Sequence, residues 1–376
     1  RPNDDAFGYA KGIMLKSIFI AGREVNYPRN ELMISALRGI SQTKVIGSRK
    51  ANVYQGGIGS IFYQSVVGFF RILPAAFRRN FDFILIGFFG QMLVQMIAPF
   101  VSKPIIFDMF ISAYDTLVED RKLTNKKSLL SKLLFKLDKS SGKKADLIFT
   151  DTNAQAEYYH EAFGIPLSKM KRVFVGCDDA LFHPLPSNPE SQTVLYYCSY
   201  LPLHGVDVVV EAAELLRNDQ SIKFRIIGNG MEFGMVQKFV QEKSLTNVEL
   251  AAPVAIEQLP NEIQNSLICL GGHFGASAKA CRVIPGKVFQ MIAMGKPVIV
   301  GSNAANRELL THGVDAWFCE MSDPAALAEA IQTLVQNRAL RDRLCAGALE
   351  TYQKSAKREE LIRVIQESIK TVVNPR

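Results

Sequence analysis

The sequence predicts an α/β protein made of two Rossmann-like domains, each built on a doubly wound parallel sheet. Its 376 residues exceed what one compact core holds and suit two domains. Short apolar runs alternate with amphipathic helical runs almost throughout, which is the β-α-β rhythm of parallel sheets. The rhythm stops at "HPLPSNPESQ" and restarts at "TVLYYCS", so the chain is expected to divide there.

The strand-like runs define two groups. We predict a first domain over 1–182, a linker over 183–192, a second domain over 193–352, and a last helix within 353–376 that packs back on the first domain. Two domains of this kind should face a cleft, because open parallel sheets bind ligands at the carboxyl ends of their strands. The expected strands include "LKSIFIAG", "FDFILIGFF", "KPIIFDMF" and "ADLIFTDT" in the first domain, and "TVLYYCS", "KFRIIGNG", "NVELAAP" and "LICLGG" in the second.

Composition narrows the function classes. Hydrophobic residues make up 48% of the chain and charged residues 21%, which indicates a globular protein. The net charge of +8 favours anionic partners such as nucleotide phosphates or acidic lipids. The six cysteines form no C-x-x-C pair, which argues against a disulfide framework and favours a cytoplasmic location. No His or carboxylate cluster has metal-ligand spacing, and no nucleic-acid-binding signature is present, so neither a metal nor nucleic acid is expected.

One apolar stretch is long enough to raise the question of a membrane span: "FDFILIGFFGQMLVQMIAPFVSKPIIFDMF". It is interrupted at Gly90, Pro99 and Lys103. Because a buried parallel strand also reads as a continuous apolar run, we predict strand, helix and strand here.

The stretch "IPGKVFQMIAMGKPVIV" predicts an anion site. Pro285 and Gly286 form a turn, and Lys287 opens a helix whose N-terminus offers free N–H groups and the positive end of the helix dipole. Lys279, Arg282 and Lys287 together would form an anion cradle. The alternative is a solvated basic loop without a ligand.

Several segments occur in the order found in the GT-B glycosyltransferases: "HGVDVVVEAAELL", "FRIIGNG", "LGGHFGASAKACRVIPGKVFQMIAMGKPVIVGSNAANRELL" and "HGVDAWFCEMSDPAALAEAI". The chain resembles their retaining group-1 members (family 4), closely over roughly 190–350 and more loosely before that. The resemblance implies a hexosyltransferase-type enzyme (EC 2.4) whose second domain holds a nucleotide sugar and whose first domain holds the acceptor. It also implies no cofactor beyond that co-substrate and metal-independent chemistry.

The donor side departs from the family at its acidic positions. The family usually has two acidic residues separated by seven, and here Arg282 and Gln290 stand in their places. Gln290 can still hydrogen-bond ribose hydroxyls. Glu308 matches a family position near the donor, with a helix-start carboxylate as the alternative. Gly228 and Gly230 are expected to let the backbone approach the nucleotide.

The donor side also departs at its cations. The family's Arg and Lys after the first strand of this domain fall on Ser199 and His204. Lys279, Arg282 and Lys287 are interpreted as relocated cations that stabilise the charge growing on the departing diphosphate. Arg282 and Lys287 are therefore candidate catalytic residues.

Candidate acceptor residues lie in the first half. Members of the family often end the fourth strand with a His that meets the sugar, and this sequence has Asp108 there instead. Asp108 is the candidate catalytic residue, with a turn-capping carboxylate as the alternative. Ser112 follows it in "IIFDMFISAYD". The loop "GREVNYPRN" is expected to present Arg23, Asn26 and Arg29 to an anionic acceptor.

A basic stretch suggests contact with a membrane surface. Residues 121–144 hold nine Lys or Arg against one Asp. A helix there would carry Leu133 and Leu137 on one face and Lys132 and Lys136 around it, as in helices that lie on anionic bilayers. The alternative is that the leucines pack on the sheet and the lysines are solvated.

The sequence thus predicts a glycosyltransferase peripheral to the cytoplasmic membrane face that acts on a lipid-linked or cell-envelope saccharide. Two alternatives stay open. One is a catalytically weak GT-B protein that binds a membrane or a partner, and the other is a GT-B enzyme of different chemistry, such as an epimerase, that needs no acceptor.

Overall fold

The computed structural model describes residues 14–48, 65–72, 74, 80–122, 124–186, 192–275 and 277–373. The first of its two six-stranded sheets has the order β2-β1-β3-β4-β5-β6. The pairs β1–β2, β1–β3 and β3–β4 are parallel. The strands of this sheet are β1 (Leu15–Ile20), β2 (Ser41–Ile46), β3 (Phe83–Ile86), β4 (Ile105–Asp108), β5 (Leu147–Thr150) and β6 (Met170–Arg172).

The second sheet has the order β12-β11-β10-β7-β8-β9, and all its pairs are parallel. Counted within the sheet, this is the 3-2-1-4-5-6 order of the Rossmann fold. The strand order reverses between β7 and β10, and ligands of open α/β sheets bind at that point, outside the carboxyl ends of the strands. The strands are β7 (Thr193–Cys198), β8 (Lys223–Gly228), β9 (Val248–Ala251), β10 (Ile268–Gly272), β11 (Val298–Gly301) and β12 (Trp317–Cys319).

Helices follow most of the strands. Residues 65–72 are helical, and Asp115–Asp120 forms a short π-helical segment. The remaining α-helices are α1 (Pro28–Arg38), α2 (Gln91–Ile97), α3 (Leu129–Lys144), α4 (Asn153–Phe163), α5 (Val206–Leu215), α6 (Phe233–Glu242), α7 (Leu259–Gln264), α8 (Gly286–Ala293), α9 (Pro324–Gln336), α10 (Arg338–Ser355) and α11 (Arg358–Val373).

Apolar periodicity explains how these elements pack. All four residues of β3, Phe-Ile-Leu-Ile, are buried, as expected for a central parallel strand. On α5, Val206, Val209 and Ala213 recur at helical spacing and join the core beneath the second sheet. The long apolar stretch forms β3, α2 and β4, so the predicted strand, helix and strand are confirmed. Within the described part of the chain, no helix is both long and apolar enough to cross a bilayer.

The chain forms two compact units. Unit 1 comprises Arg1–Met109, Ser141–Ile148 and Ile365–Arg376, and unit 2 comprises Phe110–Ser140 and Phe149–Val364. Within unit 1, the Nε2 atom of Gln366 donates to the carbonyl oxygen of Ala36 over 2.9 Å, which ties α11 to α1. The domain boundaries given above stay a prediction, and much of the linker, 187–191, lies outside the described residues.

Candidate functional site

Lys287 lies at the point where the order of the second sheet reverses. It is the second residue of α8, after Pro285 at the N-cap. Its Nζ atom donates to the carbonyl oxygen of Tyr197 over 2.9 Å and lies 3.8 Å from the ring centroid of Tyr196. A Cβ atom on Gly286 would meet nothing within 4 Å, so the space beside this first residue of α8 is open.

The charge of Lys287 is poorly compensated. The residue is 8% exposed, and no ion pair to it occurs among the described residues. Burial lowers the pKa of Lys287 to about 8, and only Cys198 acts in the opposite direction. Gln290, one turn further along α8, accepts a hydrogen bond from the Tyr197 hydroxyl over 2.6 Å. A buried ammonium with three donors and one recorded acceptor can take an anionic ligand.

Two neutral histidines lie beside it. The rings of His204 and His273 stack with centroids 5.5 Å apart and planes 12° from parallel. Burial, and then the charge of Lys287, lower the pKa of His204 to about 3. Burial also places the pKa of His273 well below its usual value. Neither ring is a cation at neutral pH, so His204 does not supply the positive charge that the resemblance implies at its position.

The two glycines of "IIGNG" have a local packing role. A Cβ atom on Gly228 would lie 1.9 Å from the carbonyl oxygen of Cys198, and one on Gly230 would lie 1.9 Å from that of Ser199. Gly228 also has a φ of +141°, which side chains rarely adopt. The close approach seen here is between the loops after β7 and β8. Contact with a nucleotide stays a prediction.

Arg282 is engaged by a carboxylate. Its Nη2 atom donates to Asp115 Oδ1 over 2.6 Å, and its Cζ atom lies 3.8 Å from the ring centroid of Tyr158. Its carbonyl oxygen accepts from the Thr152 hydroxyl over 2.5 Å. The side chain of Arg282 is 15% exposed, and that of Asp115 1%.

Lys279 belongs to the same cluster. Its Nζ atom donates to Thr116 Oγ1 over 2.7 Å. Burial lowers the pKa of Lys279, and Asp115 and Asp120 act against that effect. Burial likewise raises the pKa of Asp115, against the charges of Lys279 and Arg282. The sequence predicts one anion site formed by all three cations, but they lie in two places. Lys279 and Arg282 contact the Asp115–Asp120 segment, whereas Lys287 contacts Tyr196 and Tyr197.

Glu308 caps a helix. Its Oε1 atom accepts from the backbone N–H of Ala154 and its Oε2 atom from that of Asn153, each over 2.8 Å. Arg172 also donates to Oε2, over 3.1 Å. Both oxygens thus face the N-terminus of α4, where negative charge is favourable. Glu308 therefore has the role of a carboxylate at a helix start, and the helix that it caps is α4, which is distant in the sequence.

In unit 1, Arg29 and Asp108 form a buried ion pair. Arg29 Nη2 lies 2.9 Å from Asp108 Oδ1, Arg29 Nε lies 3.1 Å from Asp108 Oδ2, and both side chains are 0% exposed. Burial raises the pKa of Asp108, and Arg29 opposes that rise. The expectation that Arg29 lies on an open loop is wrong, since it belongs to α1 and is buried.

The other acceptor candidates of the sequence differ in exposure. Arg23 pairs with Glu24 over 3.0 Å and lies over the ring of Tyr27. Asn26 is exposed. Ser112, in unit 2, is 1% exposed and donates to Asp138 Oδ2 over 2.7 Å, so its hydroxyl is used inside the protein. Of these residues, Arg23 and Asn26 remain accessible.

Helix α3 has an exposed side of leucines and lysines. Leu133 is 55% exposed, and Lys132 and Lys136 are also exposed, while Leu137 is half-buried. Leu134, by contrast, packs inward against Ala113 and Val118. The helix therefore uses one side for the core and leaves a second apolar strip uncovered.

Sequence reasoning missed two groups. It did not single out the Tyr196–Tyr197 pair that contacts Lys287, because two tyrosines at a strand end are a common core pattern. It also overlooked His273, although the surrounding "GGHFG" marked an unusual strand end. No group of three His, Cys, Asp or Glu side chains in the described part of the chain could hold a metal ion.

These sheets and this site define a protein of the GT-B fold, which confirms the predicted fold class. HepE from Anabaena, solved in complex with UDP, has a TM-score of 0.71 to this chain at 13% identity, covering 95% of this chain and 100% of that one. Residues 178–350, just under half of the chain, match the family model "Glycosyl transferases group 1".

Two curated relatives match part of the chain. The D-inositol 3-phosphate glycosyltransferase of Nocardioides sp. is 25% identical over 227 residues, which covers 55% of this chain and 49% of the relative. An uncharacterised glycosyltransferase of Methanocaldococcus jannaschii is 23% identical over 167 residues, which covers 43% of each. The chain thus spans just under half the length of these relatives.

Proposed function

We propose that the protein is a glycosyltransferase that moves a hexosyl group from a nucleotide-activated donor to a saccharide acceptor. The observation that carries the proposal is Lys287, a buried ammonium at the start of α8 with no counter-ion among the residues that the structure describes. It lies within the family-matched region and at the carboxyl end of β7. A fold alone gives no reason to bury such a charge, whereas a diphosphate does.

The chemistry follows from where charge develops. Cleavage of the sugar–phosphate bond leaves negative charge on the nucleoside diphosphate, and Lys287 with the free N–H groups of α8 would stabilise it. From the family resemblance, we propose that the sugar keeps its anomeric configuration. The acceptor hydroxyl then attacks the sugar from the side of the leaving diphosphate, and its proton passes to a phosphate oxygen. The reaction is proposed to be independent of metal and of any cofactor.

Uridine diphosphate sugars are the first donors to test, because HepE was solved with UDP and with UDP and glucose. A ligand that binds only the folded state raises the melting temperature. We expect one nucleoside diphosphate to raise it in the wild type and to have little effect on the K287M variant. The matched control is K238M, which removes an exposed lysine from α6. No shift with any nucleotide in the wild type would reject the proposal.

We further propose that the protein works at an anionic membrane face and that its acceptor is lipid-linked or part of the cell envelope. The support is α3, whose exposed Leu129, Leu130 and Leu133 lie among exposed lysines. A leucine strip inserts at the headgroup boundary while lysines attract anionic lipid, each contributing about 1 kcal/mol.

Vesicle sedimentation tests this placement. The wild type should bind vesicles rich in phosphatidylglycerol, bind phosphatidylcholine vesicles weakly, and detach as salt rises. The L130S/L133S variant should lose binding without losing stability, because both side chains are largely exposed. An L215S variant, which removes an exposed leucine from α5, is the control. Equal binding of the vesicles by all three proteins would show that α3 does not contact the membrane.

A second candidate function is a catalytically weak GT-B protein that acts through membrane or partner binding. It is favoured by Arg282, Lys279 and Glu308, each of which already has at least one hydrogen-bond partner inside the protein. Product formation with purified donor and a saccharide acceptor separates the two. Turnover that disappears in K287M supports the enzyme, and membrane binding without turnover supports the alternative.

A further inference from the structure

Unit 2 contains a cavity that the site around Lys287 does not include. It has a volume of about 450 Å³, within the range of small-molecule pockets. Two of its lining residues carry carboxylates and three carry ammonium groups. The lining residues are Glu119, Asp120, Lys122, Lys126, Pro202, Ser277, Ala278 and Lys279.

Asp120 supplies an unused acceptor in this cavity. The residue is 4% exposed, and its Oδ1 atom has no hydrogen-bond partner among the described residues. Its side chain also interacts with Ser277. A buried carboxylate oxygen without a donor is costly, and such groups mark places where a ligand completes the hydrogen bonding.

The other charges of the cavity are largely held in place. Glu119 accepts from Lys126 and from the Tyr158 hydroxyl, each over 3.2 Å. Lys279 donates to Thr116, and an ammonium has two further donors. Counting only the described residues, the cavity therefore offers an unpaired acceptor on Asp120 and two unpaired donors on Lys279.

Mixed charge decides the class of ligand. A phosphate would be repelled by Asp120 and Glu119, and a cation by the lysines. A neutral ring with several hydroxyl groups satisfies both signs, because each hydroxyl both donates and accepts. We propose that this cavity is a sugar subsite in which Asp120 accepts hydrogen bonds from hydroxyl groups of a pyranose and Lys279 donates to them.

The position of the cavity suits this role. Pro202 follows β7, and Ser277 and Lys279 follow β10, so the cavity opens at the edge where the strand order reverses. The inference rests on the proposed function, which supplies the reason for a sugar. The pyranose comes either from the donor or from the acceptor, and the experiment below distinguishes the two.

Two variants test the subsite. D120N keeps the size of the side chain and removes its charge, and A278W fills the cavity from its exposed lining residue. D342N is the control, since Asp342 is an exposed carboxylate of unit 2 paired with Arg338. Each protein is titrated calorimetrically with UDP and with UDP-glucose, and saturation-transfer NMR records binding of free monosaccharides. Thermal unfolding identifies any variant that does not fold.

The outcomes differ for each source of the sugar. If the cavity holds the donor sugar, D120N and A278W weaken the affinity for UDP-glucose about tenfold or more and leave the affinity for UDP unchanged. If it holds the acceptor sugar, both nucleotides bind as in the wild type and the monosaccharide signals disappear in both variants.

The subsite is rejected if both variants match the wild type in all three measurements. A wild type that binds neither nucleotide contradicts the proposed function instead. In that case the monosaccharide signals decide alone: their presence in the wild type and loss in both variants keeps the subsite, and their absence from the wild type overturns it.

Discussion

Two buried cations of this protein, Arg29 in unit 1 and Lys287 in unit 2, have very different surroundings. Arg29 is 1% exposed and makes a bidentate contact with the fully buried carboxylate of Asp108. Lys287 is 8% exposed and meets a carbonyl oxygen and the face of an aromatic ring. The charge of Arg29 has a counter-ion within the protein, whereas no ion pair to Lys287 occurs in the part of the chain that the structure describes.

The difference suggests a test that separates a charge held for structure from a charge held for a ligand. A buried ion pair with good geometry holds elements together, here α1 and the end of β4. A buried charge without a partner destabilises the folded protein and is retained where a ligand later compensates it. The variants below should therefore change stability in opposite directions.

The largest effect should come from breaking the pair in unit 1. R29M leaves the Asp108 carboxylate buried without a counter-ion, which costs about 3 to 5 kcal/mol of unfolding free energy. Urea unfolding measures the loss, and the double variant R29M/D108L should recover much of it. If D108N instead abolished activity at unchanged stability, Asp108 would be the catalytic residue that the sequence suggested.

Replacing Lys287 should raise the unfolding free energy instead of lowering it. K287M removes a buried charge and is expected to raise the unfolding free energy at pH 7 by about 1 to 2 kcal/mol. The folded protein releases the lysine proton near pH 8 and the unfolded chain near 10.5. The unfolded state thus binds more protons in that window, so wild-type stability rises with pH relative to K287M.

The affinity of the wild type for UDP should fall with rising pH, over the same pH range in which its stability rises. As pH rises through about 8, Lys287 loses its charge and the diphosphate loses its cation. UDP affinity measured from pH 7 to 9.5 should fall in the wild type, and K287M should lack that decline. A UDP affinity independent of pH in the wild type would place the diphosphate elsewhere.

The fold could be predicted from the sequence because its signals are repeated along the chain. Apolar runs such as β3 and amphipathic helices such as α5 each indicate their own element, and the alternation of the two gives parallel sheets. The place of Lys287 at the start of α8 could be predicted for a similar reason, since the turn at Pro285 and Gly286 fixes that helix start locally.

The partners of the other charged residues could not be predicted. Asp115 lies 167 positions before Arg282, and Glu308 lies 154 positions after Ala154. Such contacts depend on tertiary packing, which carries no signature in the residues around each group. Arg29 shows the same limit, because a charged residue in an apparent loop gives no sign that a carboxylate will bury it.

In the Arg282–Asp115 pair the arginine has a counter-ion, like Arg29, but is partly exposed. We therefore expect a moderate change in stability when the pair is broken. D115N keeps an acceptor for Arg282 but removes the negative charge, so we expect a loss of about 1 to 2 kcal/mol with UDP affinity unchanged within about twofold. Urea unfolding and calorimetry measure the two quantities. A tighter UDP complex in D115N would show instead that Asp115 competes with the diphosphate for Arg282 and Lys279.

The smallest effect is expected at Glu308, whose charge is compensated by two backbone N–H groups and by the part-exposed Arg172. E308Q retains one carbonyl oxygen, so one of the two bonds to the start of α4 is lost together with the charge at the helix N-terminus. We expect a loss of about 1 kcal/mol and no change in UDP affinity. E350Q, on an exposed residue of α10 paired with Lys354, should cost less. A variant that loses UDP affinity at unchanged stability would show that Glu308 leaves its cap to bind the donor, because a carboxylate committed to a helix N-terminus cannot affect the ligand without also affecting the helix.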